Sequence, residues 1–435
     1  MKVTPKYYEF IATESVVDVL EGTTQAGKTT TAVSTKFLYE VKNTRRLKHL
    51  IAGESLGTIM SNILSNGDAG LLDVYPDIEL YLSGNNKQKL PHIQIGENTV
   101  YLCGYGDVSK YKKVLGGQFG AIFIDEVNIA NMDFVRELFL PRFEYCCMTL
   151  NPDNPDKEIY KEIINRARPT KEHEPSVPMH IWKELNKAVE RKGWHYWFFG
   201  FDDNPTMTEE LKYNLLTSLL PETREYKTKI QGIRTKGVGL IFRLPDNSII
   251  TEEQAKTYQY QKFTCGVDTS YSSKSGDTIT FIFAGITTEG IYIPLDEEVR
   301  NNRDLNVPLA PSDVAYNLNK FLEKNTSKWG IAKDVFIDSA DQATITECRK
   351  YKLAEGLVYN FISSWKKIKI MDRIVLQNGW LAKGKYLIVD TCKHHIAEHN
   401  TYSWDPKKDV PEDANDHTIN ASQYGWIPFK EMIGK

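Results

Sequence analysis

The sequence predicts an α/β protein built from two unlike halves, and three observations carry that reading. In the first half, short apolar runs alternate with amphipathic ones, as in a mostly parallel sheet with helical crossovers. Between the first apolar run and the first amphipathic stretch lies an unbroken Gly22-Thr23-Thr24-Gln25-Ala26-Gly27-Lys28-Thr29. In the second half, three strand-like runs precede a helix and a further strand, and two of the strands end in aspartate.

At 435 residues the chain exceeds one ordinary core, so two to three domains are expected. No apolar run reaches the length of a membrane span. Met1-Lys2-Val3-Thr4-Pro5 lacks the apolar core of a signal peptide, so a cytoplasmic location is expected. Cysteines 103, 146, 147, 265, 348 and 392 show no Cys-x-x-Cys spacing and sit in apolar stretches, so they are read as buried thiols rather than disulfides or zinc ligands. A formal charge of −3 leaves nucleic-acid contact to local basic patches, of which 45–48, 110–113 and 366–369 are candidates.

Residues 16–20 read as a buried strand and 29–40 as a helix whose N-terminus faces the loop between them. That loop has the spacing of a phosphate grip. Its glycines let backbone N–H groups turn inward, Lys28 supplies a point charge, and the Thr29 hydroxyl suits Mg²⁺. Residues 49–53 form a strand, 56–64 a helix, 83–96 loops with short edge strands, and 99–103 a strand again. Residues 120–124 are an apolar strand ending in Asp125-Glu126, where Asp125 would hold Mg²⁺ and Glu126 would polarise an attacking water. The strand 143–148 ends in Thr149-Leu150-Asn151-Pro152. Thr149 and Asn151 either sense a terminal phosphate or cap the turn before a helix over 157–166.

From 168 to 250 prolines break the pattern, the aromatic run 194–199 reads as a small core, and no catalytic residue is assigned. A strand over 263–268 then delivers Asp268, strands follow at 279–284 and 290–293, a helix at 313–323, and a strand from 334 ends in Asp338. This is the ribonuclease H-like order. Clustered strand-end carboxylates are what two neighbouring metal ions need when they act on a phosphodiester. His395-Ile396-Ala397-Glu398-His399 matches a zinc-peptidase spacing but lacks that family's long helical context, so a surface helix is expected there.

Taken together, Gly22 to Thr29, Ile124-Asp125-Glu126 and Thr149-Leu150-Asn151-Pro152 resemble the ATPase half of tailed-bacteriophage terminase large subunits, the DNA-packaging motors. The resemblance implies a P-loop (RecA/ASCE-like) ATPase core over 1–170, a lid and linker over 171–250, and a ribonuclease H-like nuclease domain over 251–435. It implies ATP with Mg²⁺ in the first half and Mg²⁺ or Mn²⁺ in the second. Tyr7 and Tyr8 match where that family contacts adenine, with core packing as the other reading. Phe201-Asp202-Asp203-Asn204-Pro205 resembles the family's Tyr-x-Asp-Asn-Pro segment. Many members carry a finger arginine within the loop. Here Thr23-Thr24-Gln25 stands instead, which leaves Arg142, Arg136 or a neighbouring subunit to supply the cation.

Residues 415–425 resemble the family's Asp-His-x-x-Asp-Ala-x-Arg-Tyr signature, with Asn420 and Gln423 in place of the second Asp and the Arg. Asp416, with His417 beside it, is therefore the expected third metal ligand, and Asp413 is a further candidate. The implied partners are double-stranded DNA, a small terminase subunit and the portal of the procapsid, with a monomer in isolation, a ring on the portal and no membrane. The implied location is the cytoplasm of an infected bacterium, outside the mature virion. The alternatives are a helicase-like P-loop ATPase, or an assembly protein whose nuclease half is inactive.

Overall fold

The computed structural model describes residues 3–85, 88–114, 116–140, 143–270, 278–301, 309–364, 368–405, 408–412 and 416–434. The chain divides into two compact units, residues 1–213 with 226–236 and residues 214–225 with 237–435. The basic stretch 110–113 falls in the first unit, whereas Lys366 and Lys367 lie outside the described residues.

The first unit is organised on an eight-stranded sheet. Its strands are β1 (Val17–Gly22), β2 (Lys48–Gly53), β3 (Glu79–Tyr81), β4 (His92–Ile95), β5 (Asn98–Gly104), β6 (Ala121–Ile124), β7 (Tyr145–Leu150) and β8 (Trp194–Phe199), in the spatial order β3-β4-β5-β2-β6-β7-β1-β8. Only the β3-β4-β5 edge is antiparallel. A sheet with both faces covered needs apolar residues at every position. Accordingly Val17, Val19, Ile122, Ile124, Cys146 and Met148 enter one apolar cluster, while Leu20, Ala121, Phe123, Tyr145 and Cys147 enter another.

Two departures from the sequence reading follow from tertiary packing. The aromatic run is an edge strand rather than a separate small core. β8 pairs in parallel with β1 from Val17 opposite Trp194 to Gly22 opposite Phe199, and its alternate rings feed the two clusters. Asp18, inside β1, is fully buried with the Lys36 ammonium at 2.6 Å, the Tyr145 hydroxyl at 3.0 Å and the Trp197 indole N–H at 2.8 Å. The helix after the loop runs as an α segment Lys28–Ala32, a π segment Val33–Phe37 and an α segment Leu38–Asn43. It therefore extends past the expected end.

The second unit contains a five-stranded mixed sheet. Its strands are β9 (Tyr260–Ser270), β10 (Thr278–Thr287), β11 (Tyr292–Asn301), β12 (Asp334–Ile337) and β13 (Asn360–Ser363), in the order β11-β10-β9-β12-β13. The first three strands are antiparallel, and β12 and β13 add in parallel. This is the ribonuclease H-like order expected from the sequence. The helix Pro311–Lys328 connects the two parts of the sheet, with Pro at its first position and Val314, Leu318, Phe321 and Leu322 buried.

All six cysteines are free and buried, as expected. Among the described residues no helix is long and apolar enough to cross a membrane.

One glycine sets how closely helix His417–Trp426 approaches β9. A Cβ on Gly266 would lie 1.8 Å from the Ala421 carbonyl oxygen and 2.8 Å from the Gly425 nitrogen, so strand and helix meet backbone to backbone. Gly266→Ala is expected to cost about 3 kcal/mol, the upper part of the overpacking range, because backbone rather than a flexible side chain must yield. Denaturant unfolding of the variant against the parent measures this, and an unchanged midpoint would contradict the packing argument.

Candidate functional site

β6, β7 and β1 are neighbours in the first sheet, so their carboxyl ends open side by side, where ligands of parallel sheets bind. Those ends deliver Asp125-Glu126, Thr149 to Asn151, and the loop after β1. They line a cleft of about 310 Å³ bounded by residues 24–30, Asp125, Glu126, Thr149, Leu150 and Asn151. Asn62 and Asn66 complete the wall, and no signal in the sequence pointed to either. Gly22 and Thr23 stand just behind the cleft, where the Thr23 N–H donates to the Phe199 carbonyl at 3.0 Å.

Lys28 is buried, and its ammonium donates to the carbonyls of Gly22 (3.1 Å) and Thr23 (2.6 Å) and to Asn151 Oδ1 (3.1 Å). Burial pushes its pKa down to about 8, against the pull of Asp125, Glu21 and Glu126. The hydroxyls of Thr29 and Thr149 both donate to Asp125 Oδ1, at 2.8 and 2.7 Å. The β6 end, the loop and the β7 end thus meet on one carboxylate oxygen.

Gly27 and Gln25 take left-handed backbone angles (φ 86° and 54°), which turns the loop around the cleft. The side chains fit a magnesium nucleotide: Lys28 for phosphate, the Thr29 hydroxyl and Asp125 for the ion. Glu126 lines the same cleft in a left-handed conformation (φ 49°). The Tyr105 hydroxyl, which sequence reading did not single out, donates to the carbonyls of Asp125 (3.0 Å) and Glu126 (3.1 Å) and fixes that turn.

Tyr7 differs from the adenine-stacking expectation. It is fully buried, one ring face stacks on Phe199 at 4.0 Å, and its hydroxyl donates to the Ala26 carbonyl at 2.9 Å. It props the loop from the core side, while Tyr8 is exposed. The segment that carried no assignment does reach the loop, since Asn204 donates its amide to the Gln25 carbonyl at 2.7 Å. Arg136 is held by Glu162 (2.9 and 2.5 Å) and Glu158 (3.0 Å) and does not line the cleft. Arg142 lies outside the described residues.

In the second unit, β9 and β12 pair in parallel, with Val267 opposite Ile337. Asp338, just past the end of β12, and Asp268, within β9, therefore lie side by side on one face, both buried; β9 runs on to Ser270, past the expected end at 268. Helix His417–Trp426 covers that face: His417 Nδ1 lies 3.1 Å from Asp268 Oδ2, and the Tyr424 hydroxyl donates to Asp338 Oδ2 at 3.2 Å. Burial first, then the charges of Asp338 and Asp416, raise the Asp268 pKa to about 6 although His417 opposes the shift. Such crowding of negative charge fits a cation at the Asp268 and Asp338 pair.

The full three-carboxylate set is not assembled. Among the described residues no three His, Cys, Asp or Glu side chains converge as a ligand group. Asp416 Oδ2 instead accepts the Asn420 amide at 3.0 Å, a bond that an aspartate at 420 could not donate. Asp413 lies outside the described residues.

The helix Lys393–His399 is not the surface helix expected. His395 and His399 are fully buried, and all four ring nitrogens are engaged: His395 with Thr418 (3.0 Å) and Tyr386 (2.8 Å), His399 with Gln377 (2.7 Å) and the His395 carbonyl (2.7 Å). Burial pushes the His399 pKa down to about 4 and that of His395 below its ordinary value, so both rings are neutral. Glu398 accepts the N–H groups of Thr418 (2.8 Å) and Ile419 (3.2 Å), capping the helix that carries His417. The His-x-x-Glu-His spacing thus supports the carboxylate face instead of binding zinc.

No family model and no curated protein matches the chain. Among solved structures, the large terminase of a thermophilic bacteriophage, in its second crystal form, superposes with a TM-score of 0.75 at 19% identity, over 98% of each chain. The chain has the fold of a phage large terminase. The same thermophilic phage protein in complex with ADP gives 0.74 at 18% identity, over 98% of this chain and 99% of that one. In complex with ATP-γ-S it gives 0.73 at 18%, over 97% and 98%. The large-terminase fold thus spans nearly the whole chain, both sheets included.

Tyr105→Phe removes the donor shared by two carbonyls at the Asp125-Glu126 turn: the buried Asp125 carbonyl loses it, while the Glu126 carbonyl keeps the Ile129 N–H at 3.1 Å. It is expected to cost about 1–3 kcal/mol of stability, the range for orphaned buried acceptors. Thermal unfolding of the variant checks this, and a loss below about 0.5 kcal/mol would show the hydroxyl to be dispensable.

Proposed function

We propose that this protein is the large subunit of a phage terminase, which drives double-stranded viral DNA into a procapsid by ATP hydrolysis and cuts concatemeric DNA with a metal-dependent nuclease. The observation that carries the reading is the meeting of Thr29, Asp125 and Thr149 on one oxygen, beside Lys28 and Asn151, in a chain with the large-terminase fold. A nucleotide would supply the phosphate and its Mg²⁺ the charge neutralisation. Lys28 would leave its loop carbonyls for phosphate, Thr29 and Asp125 would ligate the ion, and Glu126 would orient water. Thr149 and Asn151 would couple the state of the phosphate to the β7 end. The lid and linker expected over 171–250 are proposed for the part of that span outside β8, and the finger cation is assigned to Arg142 or to a neighbouring subunit.

In the second unit Asp268 and Asp338 would hold Mg²⁺ or Mn²⁺, with Asp416 as the third ligand while its Oδ2 accepts the Asn420 amide. The metal would activate water and steady the leaving oxygen. His417 orients Asp268 from the helix side. A small terminase subunit and a portal, a ring on that portal, and the host cytoplasm complete the proposal. The Asn420–Asp416 bond favours a second reading, an assembly ATPase with an inactive nuclease half.

Lys28→Ala and Glu126→Gln are each expected to abolish ATP turnover in a phosphate-release assay while leaving DNA cutting measurable. Turnover persisting in both variants would end the ATPase reading. Asp268→Ala and Asp338→Ala should abolish metal-dependent nicking of plasmid DNA. A parent protein that does not nick, with turnover intact, selects the inactive-nuclease reading.

A pH test follows from Lys28. Its pKa of about 8 in the nucleotide-free protein rises when phosphate binds, because the anion favours the ammonium form. Above about pH 8 binding therefore takes up a proton, and ATP affinity falls as pH rises further. Calorimetry in two buffers of different ionisation enthalpy measures that uptake, and its absence at pH about 9 would contradict the assignment.

A further inference from the structure

Glu21, near the end of β1 where the phosphate loop begins, is fully buried and bound by one guanidinium. Arg234 Nε lies 2.9 and 3.1 Å from the two Glu21 oxygens, and Nη2 lies 2.5 Å from Oε2. Its Nη1 donates to Asn165 Oδ1 at 2.7 Å, and the guanidinium sits over the rings of Tyr160 (4.3 Å) and Tyr196 (5.8 Å). Both tyrosine hydroxyls also donate to Glu21, at 3.2 and 2.8 Å. The Tyr160 hydroxyl further accepts the Asp153 N–H at 2.9 Å, just beyond Asn151 in the chain.

Arg234 belongs to Tyr226–Lys236, which returns to the first unit and leads directly into the second at Gly237. This segment meets the loop at two more points. The Thr24 N–H donates to the Lys229 carbonyl at 2.9 Å. Gly232 (φ +69°) lies so close to Phe198 that a Cβ would fall 2.7 Å from the ring, with Thr23 Cγ2 at 3.6 Å. An apolar cluster would fill the space around Glu21 at equal or lower free energy, so stability alone does not account for a buried ion pair. What a bidentate, ring-stacked guanidinium adds over apolar packing is fixed orientation.

We propose that Arg234 is a positioning residue for nucleotide turnover: by fixing Glu21 next to the phosphate loop, it makes the segment Tyr226–Lys236 move with that loop. The inference rests on the nucleotide reading above and adds to it the segment that senses the site. Binding at the loop draws Lys28 and the Thr24 N–H toward phosphate, and the ion pair carries that shift into the segment that enters the second unit.

The test uses the full-length protein with ATP-γ-S as the probe. In the parent, nucleotide is expected to slow amide hydrogen exchange within 226–236, a readout that needs no turnover. Arg234→Lys keeps the charge and loses the fork, and Glu21→Gln with Arg234→Met removes both charges without leaving one buried alone. Both variants are expected to bind ATP-γ-S within about threefold of the parent, to lose the exchange response, and to drop kcat by roughly tenfold or more, since ångström-scale mispositioning costs up to about 10²-fold. Unchanged exchange in the parent on saturation overturns the proposal even if no variant folds. So does a folded double variant with parental kcat and parental exchange response. Failure of the parent to bind ATP-γ-S at all overturns the nucleotide reading instead.

Discussion

Three strand ends of the first sheet stop at the same edge, and a carboxylate placed there must find donors, because a buried unpaired charge is among the costliest features a protein can hold. Asp125 finds them in Thr29 and Thr149, hydroxyls contributed by the phosphate loop and by β7. That arrangement determines much of the rest. It fixes the loop against β6, sets the β7 end and hence Asn151 toward Lys28, and requires the Asp125-Glu126 turn that the Tyr105 hydroxyl secures. A site held together by hydrogen bonds that a metal nucleotide would replace is preorganised in place and exchangeable in partners.

The second unit solves a similar problem by close approach. Gly266 and Gly425 let helix His417–Trp426 lie against β9, so that His417 and Tyr424 reach the two aspartates. Glu398, His395 and His399 hold the start of that helix from behind through a buried network in which every imidazole nitrogen has a partner. Such a network specifies one arrangement strongly because each missing bond would leave a polar group stranded in a low dielectric. Asn420, bound to Asp416, shapes the same helix face and distinguishes this carboxylate set from one carrying aspartate at that position.

Buried charge recurs along β1. Asp18 faces Lys36, Tyr145 and Trp197 on one side of the sheet, and Glu21 faces Arg234, Tyr160 and Tyr196 on the other. The strand that carries the phosphate loop is therefore pinned on both faces by oriented polar contacts. Apolar packing alone would tolerate small slips that these contacts do not.

The linear sequence determined whatever depends on local pattern: the continuous apolar runs of a doubly covered parallel sheet, the glycine spacing of the loop, the acids that follow β6 and β12 and that in β9, and the order of strands in the second sheet. These are legible because period and punctuation act within a few residues. Tertiary structure alone decided what depends on partners far apart in the chain. Tyr7 presents the same aromatic ring whether it stacks on a base or on Phe199, and only β8, far along the chain, settles that it is core. The aromatic run 194–199 became a strand because β1 offered an edge. His395 and His399 went inward because Tyr386, Gln377 and Thr418 were there to receive them. The Arg234–Glu21 pair has no sequence signal, since a charge in a strand or a loop reads as solvated until the fold removes the water around it.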